Sequence, residues 1–299
     1  MALLREYHRP KTIAEALALL ARPGVTSAPL AGGTTLVPQL VRADNQVEAV
    51  VDLGRLGLDF IELLEGRTLG LGATATLAQV AENAICRSVA RGLLSRAARM
   101  NAPVNVGNVA TVGGVVAEGD TTSELLLVLL AMDAQVMVES NADESRSLSL
   151  GAFLSGPADV LTGGVSSALR QGLGQGLLRE VRLAVPQGAV GAGFARVART
   201  PHDRPIVAAA AVLIREGDVA TWVGLAMSGI AGTLLRLSGV GDKLVGQPFT
   251  DELLERALSG LGDQLMPSDD FRGSAEYRRA VAPVLARRAL REAWATAVD

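Results

Sequence analysis

The chain has 299 residues, of which 49% are apolar and 20% charged, and its formal net charge is −3. This length and composition predict a soluble globular protein with a sizeable core and two or three domains. The charges form no basic stripe with interleaved aromatics, and the longest apolar stretches, residues 125–132 and 206–214, are too short to cross a bilayer, so we expect neither a nucleic-acid partner nor a membrane span.

The first half of the chain mixes helical and strand patterns. Thr12 is a good N-cap for a helix over residues 13–20, with Glu15 three positions further on. Later residues predict strands at 47–53, 59–64 and 67–71 with Gly66 at the turn, helices at 77–83, 88–100 and 124–132, and a strand at 134–139. Residues 141–147 are interpreted as a polar connection, and the glycine-rich run 163–176 as a loop.

A composition shift at residues 186–188 marks a predicted domain boundary. Beyond it, the pattern predicts three antiparallel strands at 192–198, 206–215 and 219–228, and helices at 250–261 and 274–297 with Pro283 as a kink. The glycines of 172–176 and 188–193 do not form G-x-G-x-x-G and open no βαβ unit, so we interpret them as loop glycines.

The chain has one cysteine and two histidines, which exclude a disulfide framework and a zinc or iron–sulfur ligand set. Any metal is therefore expected in a partner. Cys86 is interpreted as a small core residue and His202 as a solvated turn residue, and we predict no catalytic residue in this chain. No signal peptide precedes Tyr7, so we expect a cytoplasmic location.

Two glycine pairs have settings suited to an anion. Gly32-Gly33 follows an apolar stretch and precedes a helical pattern at residues 37–41, so that backbone amides could converge on a phosphate. Gly113-Gly114 precedes a predicted strand end at residues 115–116 and a polar turn at 118–120. Either pair alone is best read as a tight turn. The two pairs together, each beside threonines, favour a dinucleotide site.

Two acidic residues follow the second glycine pair and have two interpretations. Residues 121–124 match a capping box, in which Glu124 only satisfies a helix N-terminus. Alternatively, Asp120 and Glu124 accept hydrogen bonds from a ribose hydroxyl or a flavin N–H.

Several segments resemble one family in the right order along the chain. Together they are similar to the FAD-binding medium subunit of molybdenum hydroxylases, the family of carbon monoxide, xanthine and aldehyde dehydrogenases. The segments are residues 7–12 with Glu15-Ala16, 31–34, 111–114, 196–199 with Asp203, 239–243, and 274–279.

The resemblance implies an α+β fold. A two-lobed, PCMH-type FAD-binding domain is expected over residues 1–186, with subdomains at about 1–56 and 57–186. A carbon monoxide dehydrogenase flavoprotein-like C-terminal domain, with a three-stranded antiparallel sheet and helices, is expected over residues 187–299.

The resemblance also implies the cofactor, FAD, and its binding residues. Arg196 stands where the family usually has a lysine and would keep a positive charge near a reduced, anionic flavin. Asp120, Glu124 and Leu178 fall on positions near the cofactor. The residues expected around the pyrophosphate are Ala31, Gly32, Gly33, Thr34, Thr35, Leu36, Ala110, Thr111, Gly113 and Gly114.

The function implied by the resemblance is an electron relay. In such complexes a large subunit holds the molybdenum cofactor, a small subunit carries [2Fe–2S] clusters, and the FAD subunit passes electrons to an external acceptor. A dimer of these three-chain units is expected.

Departures from the family pattern leave two other functions open. Thr35 replaces a usual aspartate, and Gly107, Ala110, Val115 and Thr121 also depart from the usual residues. Gly107 and Val115 favour a flavin-less scaffold subunit. A free-standing FAD oxidase is the other alternative, although neither glycine pair has a histidine or cysteine nearby that could link a flavin.

Overall fold

The structure, a computed structural model, describes residues 4–42, 44–140, 145–155, 176–201 and 203–298. The chain divides into two compact units. The first unit comprises Met1–Val80, Asn101–Gly119 and Gln135–Leu183, and the second comprises Ala81–Met100, Asp120–Ala134 and Ala184–Asp299. The second unit therefore takes two segments from the N-terminal part of the chain. The assignment of domains to residues 1–186 and 187–299 stays a prediction.

Strands form three sheets in the described residues. Two lie in the first unit: a three-stranded sheet in the order β1-β3-β2 and a five-stranded sheet in the order β4-β5-β8-β6-β7. The second unit holds a four-stranded sheet in the order β12-β11-β10-β9. The strands are β1 (Glu6–His8), β2 (Ser27–Leu30), β3 (Ala49–Asp52), β4 (Ile61–Leu64), β5 (Thr68–Gly72), β6 (Gln135–Glu139), β7 (Ser145–Ser149), β8 (Leu177–Ala184), β9 (Ala189–Val197), β10 (Val207–Glu216), β11 (Val219–Ser228) and β12 (Leu235–Arg236).

Helices cover these sheets. In the described residues they are α1 (Ile13–Leu20), α2 (Leu36–Leu40), α3 (Leu77–Glu82), α4 (Ala84–Ser88), α5 (Leu93–Asn101), α6 (Val104–Gly107), α7 (Val112–Glu118), α8 (Glu124–Ala131), α9 (Leu150–Leu154), α10 (Ser238–Leu244), α11 (Asp251–Leu258), α12 (Leu261–Gln264) and α13 (Ala275–Thr296).

The three-stranded sheet of the first unit is parallel. Both β1 and β2 pair in parallel with the central β3. The predicted cap of α1 is confirmed, because the Thr12 hydroxyl accepts a hydrogen bond from the Glu15 amide at 3.1 Å. Leu17 of α1 packs with Val51 and Leu53 in one buried cluster. The carboxyl ends of parallel strands meet at one edge, and the first glycine pair follows β2 there.

Part of the five-stranded sheet departs from the sequence prediction. Ser145–Ser149 is strand β7, where the sequence predicted a polar connection over residues 141–147. Residues 141–144 and almost all of the predicted loop over 163–176 lie outside the described part of the chain. Strand β8 was not predicted. Its register against β6 shifts between Met137 and Val138, and this irregularity breaks the period-two pattern by which strands are recognised.

The predicted strand end at Val115-Val116 is wrong, because these residues lie in α7. The Thr111 hydroxyl accepts a hydrogen bond from the Gly114 amide at 3.1 Å, so Thr111 caps a helix that starts with the glycine pair. Val112, Val115 and Val116 are buried at helical spacing. The capping threonine and this spacing outweigh the strand preference of valine.

The helix predicted over residues 88–100 is interrupted. Ser88 is the last residue of α4, and α5 begins only at Leu93, after three successive residues with positive φ, Ala90 (46°), Arg91 (53°) and Gly92 (79°). The Arg91 side chain donates to the Val190 carbonyl oxygen at 2.8 Å, which ties this turn to β9. The helix predicted over 250–261 also ends earlier, at Leu258, and α12 follows it.

The second unit is built on the predicted antiparallel strands β9, β10 and β11, to which the two-residue β12 adds a fourth. The interpretation of residues 188–193 as loop glycines is wrong for Gly191 and Gly193, which lie within β9. A Cβ at Gly193 would come within 2.0 Å of the Ala289 carbonyl oxygen of α13. These glycines therefore let a long helix pack closely on the sheet.

Candidate functional site

The first glycine pair lies in the turn between β2 and α2. Gly33 has a φ of +72°, and its carbonyl oxygen accepts the Val37 amide at 3.0 Å. The amides of residues 32–35 donate to no acceptor in the described chain. Successive backbone N–H groups in a turn can form a concave anion site. The turn therefore offers four neighbouring donors to an anion.

The second glycine pair is arranged differently. The Gly113 amide donates to the Ala73 carbonyl oxygen at 2.8 Å, and the Gly114 amide donates to the Thr111 hydroxyl at 3.1 Å. The Val112 amide donates to the Ala75 carbonyl oxygen at 2.9 Å. In this structure these amides are thus occupied within the protein. Gly113 and Gly114 remain candidate cofactor-binding residues because of their position, but not as hydrogen-bond donors to an anion.

Thr111 has the one unpaired amide of the second segment within the described residues. Hydrogen bonds from Leu77 to Ala110 and from Val112 to Ala75, both 2.9 Å, flank its pairing with Thr76. In such an antiparallel pair the facing residues do not bond each other, so the Thr111 amide points away from Thr76. The residue is only 5% exposed. An amide without a partner in a largely buried residue is available to a bound acceptor.

The two glycine segments touch each other within the first unit. A Cβ at Gly32 would lie 1.9 Å from the Val109 carbonyl oxygen and 3.2 Å from the Ala110 Cα. A second link joins them, because the Thr35 hydroxyl donates to Glu118 of α7 at 3.1 Å. The structure therefore brings together residues 31–36 and 110–114, although they are far apart in the sequence.

Leu178, another predicted contact, lies in the five-stranded sheet. It is buried on β8 and is the cross-strand partner of Val138. It offers an apolar surface and no polar group.

Asp120 lies in the second unit, and both of its carboxylate oxygens are engaged there. Oδ1 accepts from the Thr122 amide at 2.9 Å and from the Thr122 hydroxyl at 2.7 Å. Oδ2 forms an ion pair with Arg204. The Arg204 guanidinium also donates to the Thr122 hydroxyl at 2.8 Å. Sequence reasoning missed Arg204, since only its neighbour Asp203 belonged to a recognised segment.

The interpretation of Glu124 as the residue that only satisfies a helix N-terminus is wrong. Ser123 caps α8, its hydroxyl accepting the Leu126 amide at 3.1 Å. The Glu124 carboxylate instead accepts from Arg196 at 2.8 Å. Burial raises the pKa of the Glu124 carboxyl, while a hydrogen bond to its own backbone and the Arg196 charge oppose that rise. Glu124 and Arg196 thus form a buried ion pair within the second unit.

Arg196 is occupied by its own surroundings. One terminal nitrogen donates to Glu124, and the other donates to the carbonyl oxygens of Pro201 at 2.9 Å and Asp203 at 2.7 Å. Its side chain is 19% exposed. The guanidinium therefore fastens the β9–β10 turn to the start of α8. Three of its five N–H groups are thus engaged within the second unit.

Other kinds of site receive no support from the described residues. They contain no group of three or more histidine, cysteine or acidic side chains that could hold a metal ion. None of the helices in the described ranges is long and apolar enough to cross a membrane. Cys86 is fully buried, which confirms it as a core residue. His202 lies outside the described residues.

Comparison with known families identifies the class of protein. The model of the FAD binding domain in molybdopterin dehydrogenase matches residues 3–170, and that of the CO dehydrogenase flavoprotein C-terminal domain matches residues 192–293. The chain therefore belongs to the family of FAD-binding subunits of molybdenum hydroxylases, which are oxidoreductases, and the resemblance seen in the sequence is confirmed.

Within that family the chain is similar to carbon monoxide dehydrogenase medium chains. It is 29% identical to the medium chain from Hydrogenophaga pseudoflava, over 97% of both chains. The solved carbon monoxide dehydrogenase from that organism, which lacks the Mo-pyranopterin moiety, matches all of both chains with a TM-score of 0.86 at 27% identity. The xanthine dehydrogenase FAD-binding subunit of Escherichia coli O157:H7 is 26% identical over 97% of this chain and 96% of the relative.

Proposed function

We propose that this chain holds FAD in a molybdenum hydroxylase complex, where it accepts electrons from [2Fe–2S] clusters of a partner subunit and passes them to an external acceptor. FAD supplies the redox chemistry when bound, and the protein supplies binding, orientation and electrostatics. The observation that carries the proposal is the contact of Gly32 with Val109 and Ala110, which joins the four unpaired amides to the segment of Thr111.

The donor set fits the pyrophosphate of FAD. Four neighbouring amides in the turn that leads into α2 suit an anion through hydrogen bonding. The Thr111 amide, which donates to no acceptor in the described chain, adds a fifth donor.

The remaining predicted residues have narrower roles in this proposal. Ala31, Leu36, Ala110 and Leu178 offer apolar contacts, and Asp120 offers a carboxylate acceptor. The amides of Gly113 and Gly114 hold α7 in place, and Glu124 with Arg196 acts through the charges of a buried pair.

A comparison of two ligands tests how FAD is held. Flavin fluorescence quenching would be followed as FAD or riboflavin, which lacks the pyrophosphate, is added to the flavin-free chain. If the amides bind the pyrophosphate, FAD binds at least tenfold more tightly than riboflavin. Equal affinity would contradict pyrophosphate binding by these amides. No binding of either ligand would contradict FAD as the cofactor.

The partners and their arrangement are part of the same proposal. We expect a large molybdenum-cofactor subunit, a small [2Fe–2S] subunit, a dimer of these three-chain units, and a cytoplasmic location, with domains over residues 1–186 and 187–299. Support comes from relatives named as medium chains and FAD subunits. A tagged chain purified from its own cells should bring down two further chains in equal amounts. Isolation of the chain alone would contradict this arrangement.

The flavin-less scaffold is the second candidate, and specific contacts favour it. The Gly113 and Gly114 amides, both Asp120 oxygens and both terminal nitrogens of Arg196 are already bonded within the protein. A purified complex that contains the partner chains but neither holds nor takes up flavin would establish the scaffold. A chain that purifies without partners yet holds FAD would favour the free-standing oxidase.

A further inference from the structure

The first glycine pair belongs to a β–α–β crossover within the first unit. Strand β2 leads into the glycine turn, α2 follows, and β3 returns parallel to β2 as its direct neighbour. Dinucleotide-binding crossovers of this order place an acidic residue about 20 positions after the glycines, where it accepts a hydrogen bond from a ribose hydroxyl. Asp52 is the last residue of β3 and lies at that spacing from Gly33.

Asp52 lies next to the glycine turn on the same face of the sheet. It is the cross-strand partner of Leu30, the last residue of β2, so the two side chains share one face. The Leu30 side chain in turn reaches the turn itself, since its Cδ1 would lie 3.2 Å from a Cβ at Gly33. One leucine side chain therefore separates the Asp52 carboxylate from the turn that carries the four unpaired amides.

The Asp52 carboxylate is held in one orientation by three partners from the same unit. Oδ1 accepts the Gly54 amide at 2.8 Å, while Oδ2 accepts the Tyr7 hydroxyl at 2.5 Å and pairs with Arg9 at 3.0 Å. Burial tends to raise the pKa of Asp52, but the two hydrogen bonds and the Arg9 charge outweigh it and lower that pKa. An ionised carboxylate has about four acceptor positions, so one position on Oδ1 remains for a ligand.

We propose that Asp52 binds a hydroxyl of the adenosine ribose of FAD through Oδ1. This inference rests on the proposed function, in which the neighbouring amides hold the pyrophosphate. Tyr7 and Arg9 are positioning residues, because they fix the other carboxylate oxygen. The Arg9 charge also offsets that of Asp52, which would otherwise repel the pyrophosphate.

The test compares two ligands that differ only in the ribose hydroxyls. ADP, or its dideoxy analogue that lacks both ribose hydroxyls, would be used to displace FAD from the whole chain, followed by flavin fluorescence. Wild-type protein should bind ADP at least tenfold more tightly than the analogue, as expected for a hydrogen bond to a charged acceptor. Asp52→Ala should reduce this ratio to near one. The matched control is Asp59→Ala, since Asp59 is an exposed acidic residue of the same unit, and it should keep the wild-type ratio.

The ratio separates a contact with the ribose from a purely structural role of Asp52. A structural change would weaken both ligands alike and leave their ratio unchanged, and thermal unfolding without ligand checks that each variant is folded. The wild-type comparison needs no variant, so it decides the proposal even if Asp52→Ala does not fold.

Three results would overturn the proposal while FAD still binds. They are equal binding of ADP and its dideoxy analogue by the wild-type chain, no displacement of FAD by ADP, or an Asp52→Ala variant that keeps the wild-type ratio. Wild-type protein that binds no FAD would overturn the proposed function itself, and this proposal with it.

Discussion

Gly32 lies directly on the backbone carbonyl of Val109, so that a side chain at Gly32 would meet that oxygen at 1.9 Å. The contact closes the turn after β2 onto the segment that enters α7. It explains why a glycine is needed there even though its φ is not positive. The position of the unpaired amides of residues 32–35 therefore depends on the absence of a side chain at Gly32.

Gly32→Ala should therefore push the two glycine segments apart. We expect FAD affinity to fall at least tenfold, because the amides of residues 32–35 would shift relative to Thr111. The matched control is Gly107→Ala in the same unit, where an added Cβ would only meet the Leu77 Cβ at 3.9 Å. Fluorescence titration of both variants checks this, and equal affinities would contradict it.

Removal of Arg196 should leave the Glu124 carboxylate buried and unpaired. At neutral pH we expect Arg196→Ala to lower the free energy of unfolding by about 3 kcal/mol, toward the low end for a broken buried pair since Arg196 is partly exposed. Burial raises the pKa of Glu124 in the folded state, so protonation favours folding, and the stability it contributes is lost as pH rises through that pKa.

The Arg196→Ala defect should consequently shrink as the pH falls below the raised pKa of Glu124. Denaturant unfolding at a series of pH values measures it, with Arg199→Ala as the control. A defect that stays constant with pH would show that the unpaired carboxylate is not its cause.

Gly193→Ala tests the packing of α13 on β9. The added methyl would meet the Ala289 carbonyl oxygen at 2.0 Å, so the helix must move. We expect a loss of about 1–3 kcal/mol in the free energy of unfolding, as in other overpacked interfaces. Gly232→Ala, where nothing lies within 4 Å, should be close to neutral. Similar unfolding midpoints for the two variants would disprove the close packing.

Cys86 should be unreactive in the folded protein. It is fully buried, and burial raises the pKa of its thiol to about 11, so almost no thiolate forms near pH 8. A thiol reagent should label it only after denaturant is added. Because the folded pKa is raised, stability from this group is present below the ordinary pKa and is lost as pH rises toward 11. Rapid labelling of the native chain at pH 8 would contradict this burial.

The sequence predicted the elements whose signals are local. Thr12 with Glu15 marked the start of α1, and the apolar run before Asp133 marked α8. The sequence did not predict local structure that depends on contacts between residues far apart in the chain. Valines 115 and 116 have a strand preference that the Thr111 cap overrides, and Gly193 looks like a loop residue until α13 is packed on it.

Individual residues of the candidate site could be predicted from the sequence, but the hydrogen bonds and ion pairs between them could not. The glycine pairs were recognisable because glycines beside threonines form a local pattern. The inward direction of the Gly113 amide depends on Ala73, and the engagement of Asp120 depends on Arg204, so neither could be seen in a single segment. Nothing in the spacing of residues 120 and 204 signals that ion pair.

The absorbance spectrum of the purified chain, with identification of the chromophore released on denaturation, tests most directly whether the chain holds FAD. We expect oxidised-flavin bands and release of FAD in a ratio near one per chain. A colourless protein that also takes up no added FAD would contradict the electron-relay function and leave the scaffold in its place.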